Sequence, residues 1–157
     1  MLRPYAGLLL GLGMAAFSAP SAADGRVTWL AQAASDIVGK ARVIDGDTLE
    51  VGGRIVRLYG IDAPENGQTC MAGGAPWPCG ENAAFALAYA TAEHWLRCET
   101  RGQDAAGRVV AVCFAGPYDI GARLVREGWA RANPAVSPGY AEEETQAKRA
   151  GAGIWRP

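Results

Sequence analysis

Histidine is nearly missing from this 157-residue chain, with His94 the only one, and lysine is confined to Lys40 and Lys148. None of the four cysteines stands two residues from another, so the paired spacing of a zinc site does not occur. With one imidazole and no such pair, zinc and copper lack a ligand set. His94, alone beside Trp95, reads as a solvated side chain rather than a catalytic one. An excess of positive charge is missing too. Fifteen Lys and Arg face sixteen Asp and Glu, a net charge of −1. A broad basic face of the kind that grips nucleic acid is thereby excluded, and any polyanion site must be local. Internal repeats, low-complexity tracts and a second domain are also lacking, and the length fits one compact domain.

The N-terminus carries Arg3, an apolar run from Ala6 to Phe17 broken only by glycine, and the small residues Ser21-Ala22-Ala23. That is the pattern of a secretory signal peptide over residues 1–23, which would place the protein outside the cytoplasm, secreted or periplasmic. The run is short for a membrane anchor. Cleavage would remove one arginine and no acid, leaving a net charge near −2. Four cysteines remain after it, Cys70, Cys79, Cys98 and Cys113. An even count in an exported chain favours disulfides.

Residues 24–36 read as an N-terminal extension and 37–157 as the folded domain. Three strands are expected first: Ile37 to Ile44, Thr48 to Val51 and Arg54 to Gly60. Gly52-Gly53 is a two-residue hairpin turn, since both positions can take positive φ. Residues 66–79, rich in glycine and proline, read as a loop. A helix is expected from Gly80-Glu81-Asn82 to about Leu96, with Phe85, Ala88, Ala92, Trp95 and Leu96 as its apolar stripe. Two further strands, Cys98 to Arg101 and Arg108 to Phe114, flank a polar turn. Asp119 can cap a helix that ends at Gly128. Residues 134–139 read as a loop, Tyr140 to Ala150 as a last helix, and Ile154-Trp155 as a tail tucked onto the core. Strands first and helices later describe an α+β fold: a five-stranded OB-fold β-barrel flanked by three helices.

The chemistry concentrates in VIDGDTLEVGGRIVRLYGIDAPE, residues 43–65. Asp47 lies between two strands and Asp62 follows the third, so the hairpin returns both acids to one end of the barrel. Two carboxylates with a backbone carbonyl and waters form an oxygen shell suited to Ca²⁺ or Mg²⁺. Acids around a glycine also make ordinary turns. Glu65 follows Asp62 by three residues, with Pro64 fixing the chain between them. It can serve as a general base toward water, or simply open a helical turn. Arg57, in a strand among apolar residues, needs an anionic partner: Asp62, Glu65 or a substrate phosphate. Arg108, after Gly107, is a candidate second guanidinium on the same phosphate.

Taken together, VIDGDT, RLYGIDAPE, the Gly107-Arg108 turn, LVREGWA and the terminal GIW resemble the staphylococcal nuclease (thermonuclease) family. The likeness runs from about Lys40 to Trp155. It implies an OB barrel with three helices and Ca²⁺-dependent cleavage of DNA and RNA, leaving 3′-phosphates. By this resemblance Asp47, Asp62 and the Ala63 carbonyl hold the metal, Glu65 is the base, and Arg57 and Arg108 bind the phosphate. DNA and RNA are then the substrates of a monomer with no stable protein partner and no membrane contact after signal cleavage. The chain departs from the family pattern at Ala105-Ala106, where a Lys-Tyr pair is expected, and in residues 131–135, where tyrosines are expected. Base stacking on an aromatic ring contributes about 1–3 kcal/mol, so weaker substrate binding is expected unless Trp129 or Tyr140 substitutes. The other tryptophans of this region, Trp77, Trp95 and Trp155, read as packing residues. If residues 102–107 turn a hairpin, Cys98 and Cys113 face each other across it, and Cys70 and Cys79 close the loop after Glu65. A non-catalytic OB-fold module for nucleic acid or another polyanion is the alternative function. An accessory role in cell-envelope or polysaccharide metabolism is a third.

Overall fold

The computed structural model describes residues 36–157. The signal peptide and nearly all of the N-terminal extension expected above lie outside the described residues.

The path of the main sheet begins and ends with strands that are neighbours in the chain. β1 (Ile37–Gly39) pairs with β8 (Leu96–Gln103), and β2 (Ala41–Val43) pairs with β3 (Thr48–Val51). Between those edges run β8, β9 (Val109–Ala115), β4 (Arg54–Leu58) and β3. The single first strand read from sequence is therefore bent at Lys40, and its two halves serve opposite edges of a curled sheet. With that bend counted as one strand, the five strands of an OB-type barrel are present. All pairings along this path are antiparallel except β4 with β9, where Arg57 faces Val110. Gly39 sits at the closure, where a Cβ would come within 2.7 Å of the Gly52 nitrogen. Gly52 and Gly53 have φ of 55° and 74°, the double positive φ that a tight hairpin between twisted strands requires.

Barrel strands supply Leu49, Val51, Val56, Leu58, Leu96 and Ala111 to the core, all buried. Three helices cover it: α1 (Cys79–Thr91), α2 (Ile120–Arg126) and α3 (Ala141–Ala150). Asp119 caps α2 as expected, its carboxylate accepting from the Ala122 N–H at 3.1 Å. The tail tucks back as expected too, the Ile154 N–H donating to the Gly128 carbonyl at 2.8 Å.

α1 departs from the sequence reading. It stops at Thr91, Glu93 takes a left-handed φ of 63°, and Leu96 opens β8 instead of closing the helix. The buried face is Ala83, Ala86, Leu87 and Ala90, whereas Phe85, Tyr89 and Trp95 are exposed. Small side chains win the inward face because the barrel comes very close. A Cβ on Gly46 would lie 2.8 Å from the Ala83 methyl, which leaves no room for a ring. The expected loop 66–79 also contains a short hairpin, β6 (Cys70–Ala72) with β7 (Ala75–Trp77). Short pairs β5 (Ile61–Asp62) with β11 (Arg131–Ala132), and β10 (Tyr118–Asp119) with β9, complete the strands.

Both disulfides form as expected. Cys98 and Cys113 are in direct register across β8 and β9, with Cα atoms 4.0 Å apart. Cys70–Cys79 ties the β6–β7 hairpin to the first residue of α1.

Candidate active site

Four segments position the acidic and basic groups. The turn between β2 and β3 carries Asp47, whose main-chain N–H donates to Asp45 at 3.1 Å. Gly46 is there for proximity: a Cβ would press on the Ala63 and Ala83 methyls at 2.8 Å and on the Pro64 carbonyl oxygen at 3.2 Å. The Asp47 turn and the Asp62–Glu65 segment are thus packed against one another. β4 carries Arg57, with Thr48 as its cross-strand neighbour. β5 carries Asp62, paired in register with Arg131.

Asp47 is buried at 4% exposure. The Thr48 hydroxyl donates to its Oδ1 at 2.8 Å, and Arg57 donates to its Oδ2 from Nε at 3.3 Å and Nη2 at 3.2 Å. Nη2 also donates to Asp62 Oδ1 at 3.0 Å. The two acids read as metal ligands therefore converge on one guanidinium nitrogen. Burial pushes the Asp47 carboxyl up, against the opposing pull of Thr48 and Arg57. Burial alone would lower Arg57, but Asp47, Asp62 and Glu65 outweigh it and hold the guanidinium above its ordinary value. The three carboxylates thus act on one cation.

Glu65 is exposed. Its backbone is fixed twice by Gln68: the Glu65 N–H donates to the Gln68 side chain at 3.0 Å, and the Gln68 N–H donates to the Glu65 carbonyl at 2.9 Å. Gly80, in the first turn of α1, fits against that same carbonyl so closely that a Cβ would stand 1.8 Å from the oxygen. The Gly80 N–H donates to the Gln68 carbonyl at 3.1 Å. The segment bearing Glu65 thus rests on the start of α1, and Cys70–Cys79 staples its far end.

Arg108 does not meet Arg57's partners. It lies two residues before Val110, the register partner of Arg57, and its Nε donates to Asp104 Oδ2 at 2.6 Å. Asp104 also accepts from the Ala106 and Arg108 main-chain N–H groups at 3.0 and 2.9 Å, which organises the β8–β9 turn. The Nη groups of Arg108 have no hydrogen-bond partner among the described residues. Sequence reading missed Asp104 and Thr48; four- and one-residue offsets from the key side chains were the available signal. The two residues read as stacking platforms are placed elsewhere. Tyr140 is buried and its hydroxyl donates to Asp119 at 2.9 Å, while Trp129 is half-buried, edge-on to Trp77 at 6.4 Å.

No cluster of three or more His, Cys, Asp or Glu side chains suited to one metal ion occurs among the described residues. Asp47 and Asp62 nonetheless fit a hard divalent cation. Both are carboxylates already gathered on a single positive group, and hard oxygen donors with the Ala63 carbonyl and water suit Ca²⁺ or Mg²⁺.

Residues 55–157 match the family model described as staphylococcal nuclease homologue. The chain belongs to that family. The nuclease homologue match begins after Asp47 and spans Arg57, Asp62, Glu65 and Arg108. A relative from Rhizobium meliloti (strain 1021), the succinoglycan biosynthesis protein ExoI, is 44% identical over 130 residues, covering 80% of this chain and 68% of that protein. The chain therefore has a nuclease-type fold, beside a relative whose name refers to succinoglycan biosynthesis.

Proposed function

We propose that the protein is an exported, metal-dependent nuclease that hydrolyses phosphodiester bonds of DNA and RNA and leaves 3′-phosphates. The observation that carries this reading is the convergence of Asp47 and Asp62 on Arg57 Nη2, with Glu65 near enough to act on the same guanidinium. A scissile phosphate would take up Arg57 as a bidentate donor. Arg108, held at Nε by Asp104 with its Nη groups open, would supply a second fork. Glu65, on a backbone fixed by Gln68 and Gly80, takes a proton from the water that attacks phosphorus. The phosphorus–5′-oxygen bond breaks, the departing oxygen takes a proton from solvent, and Glu65 returns the proton it gained to solvent. Ca²⁺ or Mg²⁺ on Asp47, Asp62 and the Ala63 carbonyl would supply positive charge for the phosphoryl oxygens.

Export is supported by residues 1–23 and by two disulfides, bonds that persist in oxidising compartments. The acting species is a monomer without a stable protein partner. The relative's name makes succinoglycan biosynthesis a candidate setting. A non-catalytic binding module is the second reading, favoured by one observation: Arg57 and Arg108 are both engaged by internal carboxylates. Digestion of single- and double-stranded DNA and of RNA, with Ca²⁺, Mg²⁺ or EDTA and with end-group analysis, separates the two. Metal-dependent release of 3′-phosphate ends is the expected result. Binding without cleavage under every metal condition would establish the module instead.

A further inference from the structure

Two clefts meet at the Arg57–Asp62 ion pair. One, about 290 Å³, lies along the β8–β9 hairpin and is lined by Arg57, Tyr59, Gln103, Asp104 and Asn133. The other, about 390 Å³, holds Asp62, Gln68, Thr69, Met71, Arg131 and Ile154. The second falls at the small end of the range for ligand clefts, about 300–1,000 Å³, and the first lies just below it. A site that trims a chain end needs one arm of substrate, whereas a site flanked by two clefts accommodates an arm on each side.

The second cleft is bordered by the β6–β7 hairpin through Cys70 and Met71. The β6–β7 hairpin is tied by Cys70–Cys79 at its base, and the Gly73 N–H donates to the Pro157 carbonyl at 2.6 Å. Trp77 of that hairpin packs edge-on to Trp129, and the Arg156 guanidinium lies 4.3 Å from the Trp77 ring centre and 6.0 Å from that of Trp129. Arg131, which lines the cleft, lies 5.3 Å over the Trp155 ring, with Lys148 on the same ring at 4.5 Å. Lys148 is paired with Glu144, but Arg131 and Arg156 have no carboxylate partner among the described residues. On a chain of net charge −1, this puts one cation without a carboxylate partner, Arg131, next to the metal-ligand candidate Asp62 and a second, Arg156, on the Trp77 ring of the hairpin. Asp62 itself is turned to Arg57.

We infer that the Asp62–Arg131 cleft is a subsite for one arm of an extended single nucleic-acid strand, with Arg131 taking a backbone phosphate next to the scissile one and Arg156 adding a second positive charge along the hairpin. The inference rests on the nuclease reading for the position of the scissile phosphate. It supplies locally the positive field that the chain's overall charge denies. The flat guanidinium of Arg131, held against an indole, is pre-positioned, so little side-chain freedom is lost on binding.

The test uses the disulfide-intact protein carrying Glu65→Gln in Ca²⁺, with fluorescence anisotropy of a labelled single-stranded dodecamer followed over a salt series. Adding Arg131→Ala is expected to weaken binding several-fold and to flatten the slope of log K against log salt by about 0.7, one single-strand phosphate contact. Arg131→Lys should recover most of that slope, and Arg126→Ala, on the outer side of α2, should leave it as it was. The loss should grow from a dinucleotide to the dodecamer. An unchanged slope in Arg131→Ala, or an equal loss for dinucleotide and dodecamer, overturns the subsite. Because this readout is binding, it decides the subsite even if the parent protein cleaves nothing. Conversely, cleavage by the parent with an unchanged Arg131→Ala slope would leave the nuclease reading standing alone.

Discussion

Replacing Gly80 by alanine would drive a methyl carbon into the backbone that carries Glu65. The new Cβ would stand 1.8 Å from the Glu65 carbonyl oxygen, 2.8 Å from its carbon and 3.0 Å from the Gln68 nitrogen. All three are main-chain atoms, so no side chain can swing aside. Opening 1.8 Å to a tolerable 3.0 Å requires a displacement of about 1.2 Å between the start of α1 and the Glu65 segment, calculated from that contact. Over-packing of this kind costs about 1–3 kcal/mol. The shift also strains the Gly80-to-Gln68 and Gln68-to-Glu65 backbone bonds, each worth about 1 kcal/mol. With both bonds lost, the total is about 3–5 kcal/mol. The disulfide at Cys79 limits how far α1 can retreat, so much of the movement falls on Glu65. A displacement of about 1 Å in a catalytic group lowers turnover by about a hundredfold. Denaturant unfolding should show a lower midpoint at unchanged slope, and kcat on a short oligonucleotide should fall by that factor with little change in KM. Gly74→Ala, where a Cβ meets nothing within 4 Å, carries only the strain of its φ of 78° and is the control. A Gly80→Ala protein with parental midpoint and parental kcat would refute the argument that α1 pins Glu65, the general base of the proposed reaction.

Glu65→Gln should lower kcat by about 10²- to 10⁴-fold while the unfolding midpoint stays within error, since the side chain is exposed and its backbone bonds survive. Burial pushes the Asp104 carboxyl up, but the Arg108 bonds prevail and hold it below the ordinary range. The stabilisation is present above the unfolded value near pH 4 and is lost as pH falls through the folded one. Asp104→Asn should therefore flatten the acid limb of an unfolding-midpoint-versus-pH curve; an identical limb would show that the pair adds nothing. Removing the Cys98–Cys113 bridge by double replacement with serine should destabilise the fold by about 3 kcal/mol for a loop of 15 residues, read by denaturant unfolding under matched conditions.

What was legible in the sequence was local. Gly52-Gly53, the Asp119 cap and the facing of Cys98 with Cys113 each depend on a few neighbouring residues, and each is as read. The β8–β9 register held through Thr100 opposite Ala111 and then shifted by one at a bulge before Gly102, which pairs with Val110. The face of α1 was misread because an apolar stripe through Phe85, Ala88, Ala92, Trp95 and Leu96 was taken as the buried one, whereas Ala83, Ala86, Leu87 and Ala90 face the core. The deciding factor was the close approach of Gly46 to Ala83, a contact between residues far apart in the chain. At the candidate site the residue types were legible, and so was Asp62 as one partner of Arg57; the other partnerships were not. That Arg57 would span Asp47 and Asp62, and that Arg108 would be taken by Asp104, follow from how strands stack and side chains turn, which spacing does not encode.

The bend at Lys40 orders events in time. β1 closes the barrel on β8, joining Ile37 to Cys98 roughly sixty residues later, and β4 waits for β9 to complete the parallel pair. Loop closure over such spans is slow compared with forming a hairpin. The β8–β9 hairpin needs nothing upstream, so its two thiols can meet while the N-terminal half is still open. Oxidation at Cys98 and Cys113 would then precede closure and present β1 with a rigid, covalently braced edge. Thiol trapping during oxidative refolding would reveal that order: the hairpin bridge protected first, amide protection at Ile37 and Gly39 last.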